Sequence, residues 1–182
     1  MAEYIPPQGT GQGAHLPNIQ ATHIDLHRLL AIFLASKEFA DRIEAAQGHN
    51  AELQDPLFRL QECEGDEISR ILLSLAVTAR VVDDAHDRIF DLAAGPYGTL
   101  LRNVERPEER GDLELREACN KIIHASRWHF DVEHNANGRS YLTPTMYIYG
   151  SFGGRGWKAI LDVVEFAKQY FNTAAAVRGV AR

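Results

Sequence analysis

Hydrophobic residues recur with a helical period through the first two thirds of the chain. A pattern from Thr22 to Gln47 predicts a long helix with Thr22 or Asn18 as its cap, and Gly48 ends it. From Asp66 a more regular pattern begins, in which the residues on one side of the predicted helix are alternately four and three positions apart. Its positions are Ile68, Leu72, Leu75, Ala79, Val82, His86, Ile89 and Ala93. Such a seam is typical of a long helix packed against a partner helix along its whole length.

A third helix is predicted from Asp112 to Phe130, with Asp112 as its cap. Its apolar residues follow the i, i+3, i+4, i+7, i+8 spacing of a core-facing helix. They are Leu115, Ala118, Cys119, Ile122 and Ile123. The segment before it, residues 95–111, is rich in charge and glycine, and we interpret it as a long connection.

After His124 the period changes to that of strands rich in aromatic and β-branched residues. Three strands are predicted in the segments WHFDVEH, YLTPTMYIYGSF and WKAIL. Asn137-Gly138 predicts a hairpin between the first two, and the glycine-rich segment Gly150–Gly156 predicts the next turn. Pro144 favours an edge position or a bulge in the second strand. Asp162 is the predicted cap of a last amphipathic helix.

These patterns predict an α+β fold that is mainly α. An antiparallel helical bundle (21–129) is followed by a small antiparallel β-meander near the C-terminus (126–161) and a closing helix (162–178). We expect one domain over residues 21–182, since a chain of 182 residues with 45% hydrophobic residues can bury a single sizeable core. Residues 1–20 are rich in proline and glycine and predict a flexible arm.

Charge and cysteine content exclude several functional classes. The net charge of −6 and the pI of 5.7 argue against a protein that coats nucleic acid or membranes through bulk positive charge. Cys63 and Cys119 lack the spacing of a disulfide framework or a zinc site, which favours reduced thiols. The chain begins without a signal-peptide pattern and holds no run of 18 apolar residues. We therefore expect a cytoplasmic protein without membrane association.

The candidate chemistry lies on the third helix, where Arg116, Asn120 and His124 are spaced i, i+4, i+8 and form a polar row beside the apolar face. Histidine exchanges protons near neutral pH, and arginine neutralises phosphate charge. A metal-independent ribonuclease needs these groups, and with one histidine per subunit it usually needs a second copy. Alternatively, Arg116 pairs with Glu117, Glu114 or an acidic residue of another helix, while Asn120 and His124 satisfy backbone groups.

The stretch REACNKIIH resembles the HEPN superfamily, whose members are small dimeric helical bundles and often ribonucleases of toxin, abortive-infection and CRISPR systems. The resemblance covers residues 22–130 as architecture. It implies that His124, Asn120 and Arg116 form the site, with Arg116 one turn further from the histidine than is usual in the family. It also implies a homodimer and RNA as substrate or ligand, in a bacterial or phage defence or toxin system.

Metal binding is the alternative chemistry. His23 and His27 have the i, i+4 spacing that lets two imidazoles reach one ion, and Asp83 or His86 could complete the set. The chain lacks the paired Glu-x-x-His motifs of a di-iron bundle, and we expect neither a metal nor a cofactor. The glycine-rich segment Gly150–Gly156 matches no phosphate-binding fingerprint.

The sequence therefore leaves two alternative functions open. The first is a HEPN-like ribonuclease or RNA-binding protein that acts as a homodimer through Arg116, Asn120 and His124. The second is a non-catalytic dimeric interaction module in which the aromatic strands contact a protein partner. The aromatic residues of that surface are Tyr141, Tyr147, Tyr149 and Trp157.

Overall fold

The structure, a computed structural model, describes residues 19–43, 55–85 and 95–180. The predicted flexible arm lies almost entirely outside these residues, as do the last three seam positions of the second long helix. The helices are α1 (Ile19–Arg42), α2 (Pro56–Gln61), α3 (Glu64–Ala85), α4 (Leu115–Ile123) and α5 (Val163–Val180). Within the described ranges, no helix combines the length and apolarity needed to cross a bilayer.

The strands form one antiparallel sheet. They are β1 (Gly98–Leu101), β2 (Arg110–Asp112), β3 (Arg127–His134), β4 (Ser140–Phe152) and β5 (Arg155–Asp162), and a short 3-10 helix (Pro107–Glu109) precedes β2. Their order across the sheet is β2-β1-β5-β4-β3. The C-terminal hairpins therefore form one side of the sheet, and the segment between α3 and α4 supplies the other.

The prediction of a mainly α bundle with a small C-terminal meander is wrong. The fold is α+β, but its sheet has five strands and is not confined to the C-terminal segment, because β1 and β2 precede α4. Asp112, the predicted cap of α4, instead pairs with Thr99 at the sheet edge. The helix begins at Leu115 with Glu114 at its N-cap. Strands of three and four residues are too short to show a period of two, and the pairing of β1 with β5 is distant in sequence.

The core lies between one face of the sheet and the helices. Inward-facing residues of the three central strands are fully buried, namely Leu100, Met146, Ile148, Ala159 and Leu161. Helices α1, α4 and α5 contact β4, while α3 packs on α1 and α4. Four of the five residues of the apolar face predicted for α4 are buried and the fifth, Ile123, is half-buried, while the described part of the α3 seam is buried as predicted. No other described element covers the opposite face of the sheet.

The three predicted C-terminal strands and their turns are confirmed. Gly138 (φ 75°) lies in the β3–β4 turn, and Gly153 (φ 56°) and Gly154 (φ 79°) form the β4–β5 turn, where positive φ favours glycine. The register shift between Phe130 and Val132 faces the β4 segment that contains Pro144, which agrees with a bulge there. Asp162 caps α5 by accepting hydrogen bonds from two backbone N–H groups at 3.0 Å.

Candidate functional site

The predicted polar row lies along α4 and reaches its end. Arg116 and Asn120 are half-buried on the helix, whereas His124 follows its last residue and is exposed. The backbone of His124 has left the helical conformation (φ −100°, ψ 15°), and its N–H donates to the carbonyl oxygen of Asn120 at 3.0 Å. The three side chains therefore differ in their access to a ligand, and His124 has the most.

Arg116 is engaged by two carboxylates of α3. Its Nε donates to Oδ2 of Asp83 at 2.6 Å, and its Nη2 donates to Oδ1 of Asp84 at 3.3 Å. Asp83 is only 1% exposed, and Nη1 of Arg80 lies 3.7 Å from the same oxygen. A buried carboxylate thus lies between two guanidinium groups and joins α3 to α4. Of the alternatives that the sequence offers for Arg116, the structure shows pairing with acidic residues of another helix.

The neighbours of Asn120 form a second polar cluster. Nδ2 of Asn120 is 3.5 Å from Oε2 of Glu117, and Nζ of Lys121 lies 3.1 Å from the other oxygen of that carboxylate. The same ammonium lies 4.6 Å from the ring centroid of Trp157, within the range of a cation–π interaction. Lys121 thus contacts both Glu117 on its own helix and Trp157 of β5, and this second contact joins α4 to the sheet.

The chain passes directly from His124 into the sheet. A Cβ atom placed on Gly150 would lie 2.9 Å from the carbonyl oxygen of His124 and 2.1 Å from the Trp157 ring, so only glycine fits this crossing. The N–H of Ser126 then donates to the carbonyl oxygen of Tyr149 at 2.8 Å, and β3 begins at Arg127. Arg127 is three positions after His124, so their Cα atoms are at most about 11 Å apart.

The face of the sheet that carries no helix presents cross-strand rows of side chains. Residues directly opposite each other in antiparallel strands project to the same face. Across β3, β4, β5, β1 and β2 the first row is Arg127, Tyr149, Lys158, Leu101 and Arg110. The next row is His129, Tyr147, Ile160, Thr99 and Asp112. We call this surface the outer face.

Basic groups lie over the tyrosine rings of the outer face. Nζ of Lys158 is 4.4 Å from the ring centroid of Tyr147 and 5.4 Å from that of Tyr149. The guanidinium carbon of Arg127 is 4.9 Å from the Tyr149 centroid, and the His129 ring centroid is 5.4 Å from it. Cations and aromatic faces therefore alternate across β3, β4 and β5.

The outer face becomes acidic beyond these rows. Asp131 accepts hydrogen bonds from the hydroxyls of Tyr147 at 2.9 Å and Thr143 at 2.8 Å. The bond to Asp131 raises the pKa of Tyr147, because ionising the phenol would lose a donor to a carboxylate and place two anions together. Asp162 lies at the same end, opposite Thr145. Of the two rows, the first carries the Arg and Lys side chains, whereas the second ends in Asp112.

The sequence predicted part of this surface. Tyr147 and Tyr149 belong to the predicted aromatic surface and lie on the outer face, but Trp157 is buried in the core, and the Tyr141 hydroxyl donates to Glu133 at 2.6 Å. Lys158 was missed, although the alternation of WKAIL places it on the face opposite to Trp157. Arg110 has no comparable signal, because its partner strand was itself not predicted.

His23 and His27 of α1, the candidate metal ligands, differ from each other in their surroundings. The ring centroid of His23 lies 4.6 Å from that of Phe171 of α5, and His27 is exposed. His86 lies outside the described residues. Over residues 21–43, 55–85 and 95–175, no group of three or more His, Cys, Asp or Glu side chains is arranged to hold a metal ion.

The two cysteines are expected to react with a disulfide reagent such as DTNB at very different rates. Cys63 is exposed and Cys119 is buried on α4, where burial raises the pKa of the thiol to about 12. Because the thiolate is the reactive form, we expect one thiol to react promptly in native protein at mildly alkaline pH and two after denaturation. Two prompt thiols in native protein would contradict the position of Cys119.

The geometry thus provides an Asp–Arg network that joins α3 to α4, an exposed histidine at the end of α4, and an outer face with a basic and aromatic row. Comparisons with models of known protein families, with curated proteins and with solved structures found no match for this chain.

Proposed function

We propose that the protein binds single-stranded RNA on its outer face. The observation that carries the proposal is the first row, in which Tyr149 lies between Arg127 and Lys158 on an open sheet. The chain has a net charge of −6, so a row with three cations and no acid is a local exception. Aromatic rings for base stacking beside cations for phosphates are the elements that single-strand binding needs. RNA rather than DNA follows from the resemblance of REACNKIIH to the HEPN superfamily.

Binding would replace contacts that the side chains now make with each other. The ammonium of Lys158 lies over both tyrosine rings, and its long stem lets it move to a phosphate while a base takes the ring face. Arg127 and Arg110 would meet further phosphates along the row. Five strands at their usual spacing span about 19 Å, which suits a few nucleotides of extended strand.

The proposal also predicts which nucleic acids bind poorly. An A-form duplex hides its bases in a deep, narrow major groove, so a flat sheet cannot stack on them. Asp131 and Asp162 lie at the other end of the outer face and repel phosphates, which confines the backbone to the first row.

The test is fluorescence anisotropy with a labelled single-stranded RNA of about 12 nucleotides. We expect Tyr149→Leu to weaken binding about tenfold, because each stacked base contributes about 1–3 kcal/mol. Tyr149→Phe keeps the ring and should bind as the wild type. The logarithm of the binding constant falls as the logarithm of salt concentration rises. Lys158→Gln should make this fall less steep by about 0.7, the value for one phosphate contact. Lys168→Gln on α5 is the matched charge control.

Three results would contradict the proposal. One is the absence of binding at about 50 mM salt, where phosphate contacts are strong. Another is equal weakening by Lys168→Gln and Lys158→Gln. The third is equal affinity for the duplex form of the same RNA. Equal affinity for single-stranded DNA would contradict the choice of RNA and favour a general single-strand binder.

The HEPN-like ribonuclease with Arg116, Asn120 and His124 is the narrower hypothesis, and it stays a prediction. It is supported by the exposure of His124 and by its position three residues before Arg127, which belongs to the first row. Electrophoresis of RNA incubated with protein in EDTA reports cleavage, and His124→Ala is the informative variant. Loss of cleavage with unchanged anisotropy would separate catalysis by His124 from binding by the outer face.

A further inference from the structure

Helix α3 presents an apolar stripe to solvent on the side away from the core. Leu73 is 45% exposed, Val77 46% and Val81 41%, and they follow each other at i, i+4, i+8. The other side of the helix is fully buried, with Ile68, Leu72, Leu75, Ala76 and Ala79 at 2% exposure or less. Single exposed apolar residues are common, but a continuous line of three on one helix face indicates an interaction surface.

Opposite charges stand at the two ends of this stripe. Arg70 and Asp84 each lie seven residues from Val77, in opposite directions, and their side chains are 52% and 59% exposed. Seven residues are close to two helical turns, so both charged side chains lie on the same line as Val77. The stripe therefore has the order base, apolar, apolar, apolar, acid along the helix.

We propose that a second copy of the chain docks on this stripe, with the two α3 helices antiparallel and a two-fold axis at Val77. Reversing the helix about Val77 exchanges position i with position 154 − i. Leu73 then stands level with Val81 of the second copy, and Arg70 stands level with its Asp84. The same surface thus supplies apolar contact and charge complementarity to its own reversed copy, as a two-fold interface requires. An unrelated partner would not explain why the charges lie symmetrically about Val77.

The intramolecular partners of the two charges do not prevent this pairing. Arg70 bonds Glu67 on the same helix at 2.7 and 2.8 Å and lies 3.8 Å from Asp25 of α1, and Asp84 lies 3.3 Å from Arg80 and from Arg116. These are partly exposed contacts, in which a carboxylate retains oxygen lone pairs and a guanidinium retains N–H groups for another partner. The outer face lies on the sheet and not on α3, so the dimer and RNA binding involve separate residues.

The first test is self-crosslinking of Val77→Cys in a Cys63→Ser background, with Leu34→Cys as the matched control. Leu34 is 70% exposed on α1, whereas Cys119 is buried and does not compete. A residue on a two-fold axis lies beside its own copy, so mild oxidation should convert Val77→Cys to a covalent dimer and leave Leu34→Cys monomeric. Equal crosslinking of the two variants, or none for Val77→Cys, would overturn the proposal.

The second test is charge exchange, with the dimer dissociation constant measured by sedimentation equilibrium. Arg70→Glu should raise that constant at least about tenfold, because the introduced carboxylate would face the carboxylate of Asp84 in the second copy. The double variant Arg70→Glu/Asp84→Arg restores opposite charges and should return the constant to within about threefold of the wild type. A thermal melt of each variant checks folding. A monomeric wild type at about 100 µM, or a double variant no tighter than Arg70→Glu, would overturn the proposal.

Discussion

Replacing Asp83 with asparagine is expected to lower the free energy of unfolding by about 2–3 kcal/mol. The substitution keeps the shape of the side chain but removes the negative charge between Arg80 and Arg116. Removing one partner of a fully buried ion pair usually lowers the free energy of unfolding by more than this. The expected loss is smaller here because about a quarter of each arginine side chain remains exposed to water. In a chain of this size the melting temperature should fall by about 4–12 °C.

Asp84→Asn is the matched control. It removes the same charge one residue further along α3, but Asp84 is 59% exposed and water can solvate the arginines in its place. We expect a loss of less than about 1 kcal/mol, as for exposed ion pairs. Urea unfolding of the two variants measures the difference. Equal losses would contradict the burial of Asp83 between the two guanidinium groups.

The Asp83 network also changes how an Arg116 variant should be interpreted. From the sequence alone, loss of RNA cleavage in Arg116→Ala would indicate catalysis. In the structure, that variant leaves Asp83 with less compensation inside the protein, so lost activity could follow from lost stability. His124 is exposed and contributes no comparable contact, which makes His124→Ala the cleaner test of the ribonuclease hypothesis.

The sequence predicted well what depends on neighbours along the chain. The long helices, the β3–β4 and β4–β5 turns and the cap at Asp162 follow from periods and local turn chemistry. Helical spacing places Arg116 and Asn120 on one side of α4, but it does not predict that the helix ends before His124, whose backbone leaves the helical conformation. The sequence does not identify the partner of Arg116, since Asp83 lies 33 positions earlier and no local pattern links the two residues.

Features that depend on strand pairing across the chain were missed. The segment Thr99–Leu101 is short and is followed by many charged residues, so the local sequence pattern does not predict its pairing with β5. Without β1 and β2, Arg110 could not be placed beside Leu101, and the first row could not be recognised as one surface. The candidate RNA-binding surface thus depends on the order of the strands in the sheet, which local sequence does not predict. The polar row of α4 depends on helical spacing, which it does predict.

Replacing Gly98 with alanine is expected to lower the free energy of unfolding by about 3 kcal/mol, by crowding and backbone strain together. A Cβ atom at Gly98 would lie 1.8 Å from the carbonyl oxygen of Ile160 and 2.9 Å from its carbon, and both are backbone atoms of β5. Gly98 also has φ +153°, which side-chain-bearing residues rarely adopt. No rotamer change relieves either problem, so β1 must move away from β5. Urea unfolding measures the loss.

Gly111→Ala provides the control within the same pair of strands. Gly111 lies in β2 opposite Leu100, and a Cβ atom there would meet nothing within 4 Å, so we expect a change within about 0.5 kcal/mol. The pair of variants distinguishes the two architectures. A three-stranded C-terminal meander would leave Gly98 in a connection, where alanine is tolerated as well as at Gly111. Equal stability of the two variants would therefore contradict the five-stranded sheet, and with it the position of Arg110 in the first row. A large loss at Gly98 alone supports the β1–β5 pairing that joins Leu101 and Arg110 to Lys158.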